Sequence, residues 1–191
     1  MKKLLIAAAM GLVAAGAHAQ DGLKPRWLVG FGLFGGGDTL AHVTFTDGSS
    51  QNVTAGGGAS FYAGAEFRTS DAVSFQTTLG YHFRTTQEAS NGDVTFSRWP
   101  LDLLGHFKVN DQFRIGGGAQ IELSPKLKGS GVASPATMNF STATGAVLEG
   151  EYLFTPQVGV KVRYVSVKYK PSNGGPSANG NNGGVMLNYY F

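Results

Sequence analysis

Glu149-Gly150-Glu151 and Lys161-Val162-Arg163 stand on either side of the short stretch Thr155-Pro156-Gln157. Two carboxylates and two bases at this spacing can move protons, bind an ion, or neutralise one another where water does not reach. If 155–157 is a tight turn between antiparallel strands, outward residues must oppose outward partners. The tightest register that satisfies this sets Phe154 against Val158, Tyr152 against Val160, Glu151 against Lys161 and Glu149 against Arg163. Both charged pairs are then directly opposed, with Cβ atoms about 5 Å apart. That arrangement favours mutual neutralisation over catalysis.

Other chemistry finds little support. After His18 the histidines are His42, His82 and His106, and no two lie at metal-ligand spacing. The chain has no cysteine, which excludes disulfides and thiolate metal sites. No metal or other cofactor is expected. Gly30-Phe31-Gly32-Leu33-Phe34-Gly35 has the letters of a dinucleotide-binding loop, but Gly-Gly-Asp-Thr and more strand pattern follow where a helix is required. Glycines facing a crowded interior account for it better. A serine, a histidine and an acid could still assemble from separate strands, since such triads are defined by geometry and not by order.

The elements that must position these charges are strands. Alternation of period two runs through segments at roughly 26–37, 54–68, 73–86, 94–109, 113–124, 140–154, 158–169 and 185–191. Three connections are tight (69–72, 110–112 and 155–157), and the intervening ones are longer, polar and rich in Gly, Asn and Ser. Short and long connections alternate, as in an up-and-down barrel. One parity of every segment is free of charge: Trp27 to Leu33, Phe61 to Phe67, Phe75 to Phe83, Trp99 to Phe107, Phe113 to Leu123, Ala146 to Phe154, Val158 to Tyr164, and Val185, Leu187, Tyr189 and Phe191. The other parity carries Glu66, Arg84, Asp102, Glu122, Glu149, Glu151, Lys161 and Arg163, together with Arg68, Lys108, Arg114, His82, His106 and many glycines. Aromatic residues gather toward the strand ends, as at a bilayer boundary. The expected fold class is therefore all-β: an eight-stranded antiparallel up-and-down transmembrane β-barrel with a filled polar lumen. An eight-stranded barrel is only just wide enough to be filled by side chains, so Glu66, Arg84, Asp102, Glu122, Glu149, Glu151, Lys161 and Arg163 are expected to form an ion network.

Two stretches break the pattern. Val94 and Phe96 fall out of phase with Trp99 and Leu101, and Pro100 sits among them, which predicts a bulge at 97–100. Val165, Val167 and Tyr169 switch phase against Val162 and Tyr164, which places that stretch above the membrane or at a second bulge.

Lys2 and Lys3, an apolar run to Ala17 and Ala17-His18-Ala19 read as a cleaved secretory signal over 1–19, leaving a barrel domain over 20–191. Of 15 basic residues that leader takes Lys2 and Lys3, so 13 face 12 acidic ones and nothing argues for nucleic acid. Beyond it no apolar run is long enough for a membrane-spanning helix, so any membrane crossing must be by strands.

At the end of the chain, Val185, Leu187, Tyr189 and Phe191 resemble the insertion signal of Gram-negative outer-membrane barrels. With the leader and the meander, the chain resembles the small OmpA/OmpX-type barrels. The resemblance implies the outer membrane, insertion by the barrel-assembly machinery, and a monomer among lipid and lipopolysaccharide. It also implies no periplasmic domain after the barrel. A structural or surface-interaction role through the outer loops is expected, and no enzyme. Some small barrels deacylate lipid A using a His and a Ser two apart near a strand end, and this chain has no such pair. The alternatives are a narrow porin-like channel, a lipid A-modifying enzyme, and a soluble lipocalin-like barrel.

Overall fold

The computed structural model describes residues 24–45, 48–86 and 92–191. The expected signal peptide at 1–19 lies outside the described residues. In chain order the strands are β1 (Arg26–Gly36), β2 (Thr39–Thr44), β3 (Ser50–Thr54), β4 (Gly58–Arg68), β5 (Val73–Thr85), β6 (Val94–Lys108), β7 (Phe113–Gly129), β8 (Met138–Asn139), β9 (Ala143–Leu153), β10 (Val158–Ser166), β11 (Lys168–Tyr169), β12 (Ala178–Asn179) and β13 (Asn182–Tyr190). Strands β1, β4, β5, β6, β7, β9, β10 and β13 pair in sequence, each antiparallel to the next. The last closes on the first, with Phe31 opposite Leu187 and Val29 opposite Tyr189. Closure leaves no unpaired edge, which is the condition for strands to cross a bilayer.

The tight turns are built by their own side chains. Ser70 Oγ accepts from the N–H of Val73 at 3.0 Å, Asn110 Oδ1 from that of Phe113 at 2.8 Å, and Thr155 Oγ1 from that of Val158 at 3.0 Å. Each side chain mimics a backbone turn, so the chain reverses in a few residues and sets the register that follows. The observed register across Thr155–Gln157 pairs Val160 with Tyr152, Lys161 with Glu151 and Arg163 with Glu149, as the parity argument requires.

At the opposite end the connections carry structure. Strands β2 and β3 form a hairpin, β11 and β12 a two-residue ladder, and a 3-10 turn spans Gly131–Ala136. Strand β13 begins at Asn182, three positions before the sequence pattern shows it.

Polarity is inverted relative to a water-soluble protein. Trp27, Leu33, Phe61, Leu148, Val162 and Leu187 are exposed on the outer wall, while Glu66, Glu151 and Lys161 are wholly buried. Ala65, on the outward parity, is nonetheless buried.

The bulge expected at 97–100 is present as a register shift at Ser97–Trp99, but the two phase breaks have another origin. In β6 the inward parity runs unbroken through Val94, Phe96, Arg98, Pro100, Asp102, Leu104 and His106, all of them buried. In β10 and beyond, Val165, Val167 and Tyr169 continue the inward parity of Lys161 and Arg163. Neither stretch turns over. The upper lumen simply changes from polar to apolar. A register shift does occur opposite Ser97–Trp99, but the extra residue lies on β7. There Ser124 adopts φ 50°, a left-handed conformation unusual for a residue other than glycine. The bulge exchanges the two faces of β7. Below it Arg114, Gln120 and Glu122 point inward; above it Leu127 is buried while Lys126 and Lys128 are exposed. Pro100 lies inward opposite Glu122 without a bulge of its own, and the β5–β6 ladder is interrupted between Leu79–Leu101 and His82–Arg98.

Candidate functional site: the lumen and its cap

The lumen is filled in levels. Nearest the tight turns, Arg114 from β7 reaches across the barrel, donating from Nε to Glu151 of β9 at 2.6 Å and from its terminal nitrogens to Glu66 of β4 and the Tyr190 hydroxyl of β13. That hydroxyl in turn donates to Glu151 at 2.7 Å. Arg26 lies 3.9 Å from Glu66 and stacks over the Tyr190 ring at 4.2 Å. Asn188 donates to Glu151 at 2.9 Å and accepts from the Tyr62 hydroxyl.

One level up, Glu149 is the hub. It lies 2.7 Å from Lys161 Nζ and 2.7 Å from His106 Nε2, and it accepts from Arg163 Nε at 2.7 Å. Arg163 also reaches Asp102 of β6 at 2.6 Å, and Asp102 accepts from Thr78 at 3.1 Å and Gln120 at 2.8 Å. Lys161 spans the barrel to Gln76 of β5 at 3.2 Å.

Higher still, Arg98 pairs with Glu122 at 3.1 Å, and the Tyr169 hydroxyl donates to the same carboxylate at 3.0 Å. Tyr169 marks the change of polarity. Its ring meets Phe96 at 5.5 Å and Phe140 at 6.1 Å, and Phe96 meets Phe140 at 5.7 Å, all near edge-on. Val53, Val94, Leu127, Val165 and Val167 complete this apolar cap, and Leu40, Ala41 and Val43 of the first outer hairpin pack against it.

Glycines make the crowding possible. A Cβ on Gly30 would collide with the Tyr62 ring, and one on Gly116 with the imidazole of His106. A Cβ on Gly32 would meet the side chains of Phe34 and Met186, so the first two glycines of the Gly-x-Gly-x-x-Gly stretch face packed side chains rather than a phosphate. A cavity of about 10 Å³ lies among Tyr62, Thr78, His82, Asp102, Gln120 and Arg163, which is room for about one water.

The structure brings together Glu66, Asp102, Glu122, Glu149, Glu151, Lys161 and Arg163. It excludes Arg84, which stands exposed near the rim of β5 and makes no ion pair among the described residues. Inward parity alone placed Arg84 with the others, but it stands opposite Phe96, at the level of the apolar cap, and its side chain is exposed. Several members escaped the sequence reading. Arg98 has the parity of Asp102 and was obscured by the expected bulge at 97–100. Tyr62, Tyr169 and Tyr190 alternate with outward residues and carried a readable signal in that alternation.

Among the described residues no group of three His, Asp or Glu side chains could hold a metal. Ser74 lies directly opposite His106, whose Nε2 is held by Glu149 and whose Nδ1 has no hydrogen-bond partner among the described residues. All three are buried below the cap.

A closed barrel with an apolar outer wall and a neutralised interior defines an integral outer-membrane protein. The chain belongs to the outer membrane protein beta-barrel domain family, whose model matches residues 5–191. Its place is the Gram-negative outer membrane. Ail, the attachment invasion locus protein of Yersinia pestis, solved with the heparin analogue sucrose octasulfate, is similar in fold: 14% identity, 89% of this chain and 99% of that one, TM-score 0.54. Neisserial surface protein A is similar at 13% identity, covering 90% of this chain and all of the other, with a TM-score of 0.56. Among curated proteins, none matches this chain.

Proposed function

We propose that this outer-membrane barrel is non-conducting and acts as a structural or surface-interaction protein through its outer segments. The observation that carries the reading is the Lys161–Glu149–Arg163–Asp102 chain, whose side chains span the lumen at no more than 5% exposure. A conducting path would need these charges to be hydrated, and the Phe96–Phe140–Tyr169 cap lies over them. The reading includes a monomer embedded in lipid and lipopolysaccharide, assembled by the barrel-assembly machinery through the strand bearing Val185, Leu187, Tyr189 and Phe191. It includes no enzymatic activity: His106 and Glu149 are engaged in the ion network, and Lys161 and Arg163 hold the same carboxylate.

Planar-bilayer recording tests it. The unmutated protein is expected to be electrically silent. Glu149→Gln with Glu151→Gln, which strips partners from Lys161, Arg163 and Arg114, is expected to admit intermittent current. Steady current through the unmutated barrel would establish the channel reading instead. A changed lipid A mass in a host expressing the protein would establish an enzyme.

A further inference from the structure

Four lysines stand on the outer wall where the apolar band ends. On β7 the outward residues Phe113, Ile115, Gly117, Ala119, Ile121 and Leu123 carry no charge, and the next outward positions are Lys126 and Lys128. On β10 and β11, Val158, Val160, Val162 and Tyr164 are followed by Ser166, Lys168 and, just beyond, Lys170. Ten residues at about 3.3 Å each, tilted by about 40°, climb about 25 Å, the height of the apolar band of such barrels. Phe113 to Leu123 and Val158 to Lys168 each span that distance, so the lysines begin at its outer boundary.

The two lysine pairs are neighbours across the wall. Asn139 pairs with Lys126 on one side, and its carbonyl accepts from Ser172 at 2.9 Å on the other; Ser141 donates to the Lys170 carbonyl at 2.9 Å. All four lysines are exposed, and none forms an ion pair among the described residues. Among the described residues, two nearby carboxylates are engaged by other donors. Asp38 accepts from the N–H of Asn179 at 2.7 Å, and Asp93 takes bonds from Ser130 and Thr95. The Ser124 bulge matters here. Without it Lys126 and Lys128 would point into the apolar cap and Leu127 would face out.

We infer that Lys126, Lys128, Lys168 and Lys170 form a docking surface for the phosphates of a phosphorylated lipid headgroup in the outer leaflet. Ammonium groups at the edge of the hydrocarbon meet headgroup phosphates at their own depth, with the tail lying on Leu123, Leu148 and Tyr164. The inference does not depend on whether the lumen conducts.

The full-length protein in phosphatidylcholine nanodiscs doped with lipid A bearing both phosphates, or with the same lipid freed of phosphate, provides the test. Native mass spectrometry counts lipid A retained on the barrel. Each lysine near an anionic surface is worth roughly a factor of five, so Lys126→Gln with Lys128→Gln, or Lys168→Gln with Lys170→Gln, is expected to lower retention about 25-fold. Arginine at the same positions should preserve it, added salt should weaken it, and the phosphate-free lipid should not be retained. Lys24→Gln, at the other end of the barrel, should change nothing. The heat-dependent gel mobility of folded barrels identifies any variant that has not folded, and the arginine variants then carry the comparison. Equal retention by the four-glutamine variant, or of the phosphate-free lipid, would overturn the proposal. So would lysine-dependent binding of inorganic phosphate or a sulfated oligosaccharide in detergent at matching affinity, which would make this a soluble-anion site.

Discussion

Glu149 of β9 lies directly across the hairpin from Arg163 of β10, and Arg163 Nε donates to its carboxylate at 2.7 Å. The same guanidinium bonds Asp102 on β6 at 2.6 Å. A single residue thus ties neighbouring strands and opposite walls together. A buried arginine is stable only when its planar donors are matched by acceptors at fixed angles, and here the closed barrel supplies that rigidity.

Removing one partner is the severe perturbation. Glu149→Gln leaves Lys161 and Arg163 buried with a neutral neighbour, and breaking such a pair costs about 3–5 kcal/mol. Urea unfolding in lipid vesicles, followed by the fluorescence of Trp27 and Trp99, measures it. Lys108→Ala breaks an ion pair whose Asp111 partner is 96% exposed, and should leave the unfolding midpoint close to that of the parent. Equal midpoints for the two variants would mean that the lumen charges hold nothing together.

Ser124 offers a backbone test. At φ 50° a residue with a Cβ is strained and glycine is not. Ser124→Gly is expected to raise stability by about 0.5–1 kcal/mol, and Ser124→Val to lower it by about 1–2 kcal/mol. Deleting Ser124 should be far worse, because a one-residue slip sends Lys126 and Lys128 inward. The same urea assay ranks the three.

How much of this was legible in the sequence follows from where parity is decisive. Along β9 and β10 the polarity alternates cleanly and the Thr155 turn fixes the register, so Glu149 and Arg163 could be paired from letters alone. Parity says which wall a side chain faces, but not how far up the lumen remains polar. Val94, Phe96, Val165, Val167 and Tyr169 therefore read as breaks when they are the inward face of an apolar cap. Because proline disrupts pairing, Pro100 points to a bulge at 97–100; the register does shift at Ser97–Trp99, but the extra residue lies on the facing strand, beside Ser124. Arg84 has the correct parity, but it stands at the level of the apolar cap, opposite Phe96, and is exposed. The levels across the barrel, such as Arg114 meeting Glu66 and Tyr190, depend on stagger between distant strands, which no local pattern encodes.

The β6–β7 turn carries a proton-linked contact outside the membrane. Lys108 lies 2.6 Å from Asp111, and its hydrogen bond and charge hold the Asp111 carboxyl below the ordinary aspartate value of 3.8. A carboxyl depressed in the folded state contributes stability above its unfolded value, and that contribution is lost as pH falls through the folded one. The window therefore lies below about pH 4. Side-chain NMR should find the Asp111 midpoint depressed and restored to the ordinary value by Lys108→Ala. Salt should shrink the shift, since the pair is open to solvent. An unchanged midpoint in that variant would remove the contact from the account.

Tyr169 joins the ion network to the apolar cap, so its ring and hydroxyl can be tested apart. Tyr169→Phe keeps the contacts with Phe96 and Phe140 but removes the donor to Glu122, at a cost of about 1–3 kcal/mol. Tyr169→Ala also empties the space among Val94, Leu127 and Val167, for about 3–5 kcal/mol. Combining Tyr169→Phe with Glu122→Gln should cost less than the two changes added, because both act on one hydrogen bond and the deficit is their coupling. Additive costs would mean that the hydroxyl and the carboxylate are independent, and the cap would then rest on its aromatic packing alone.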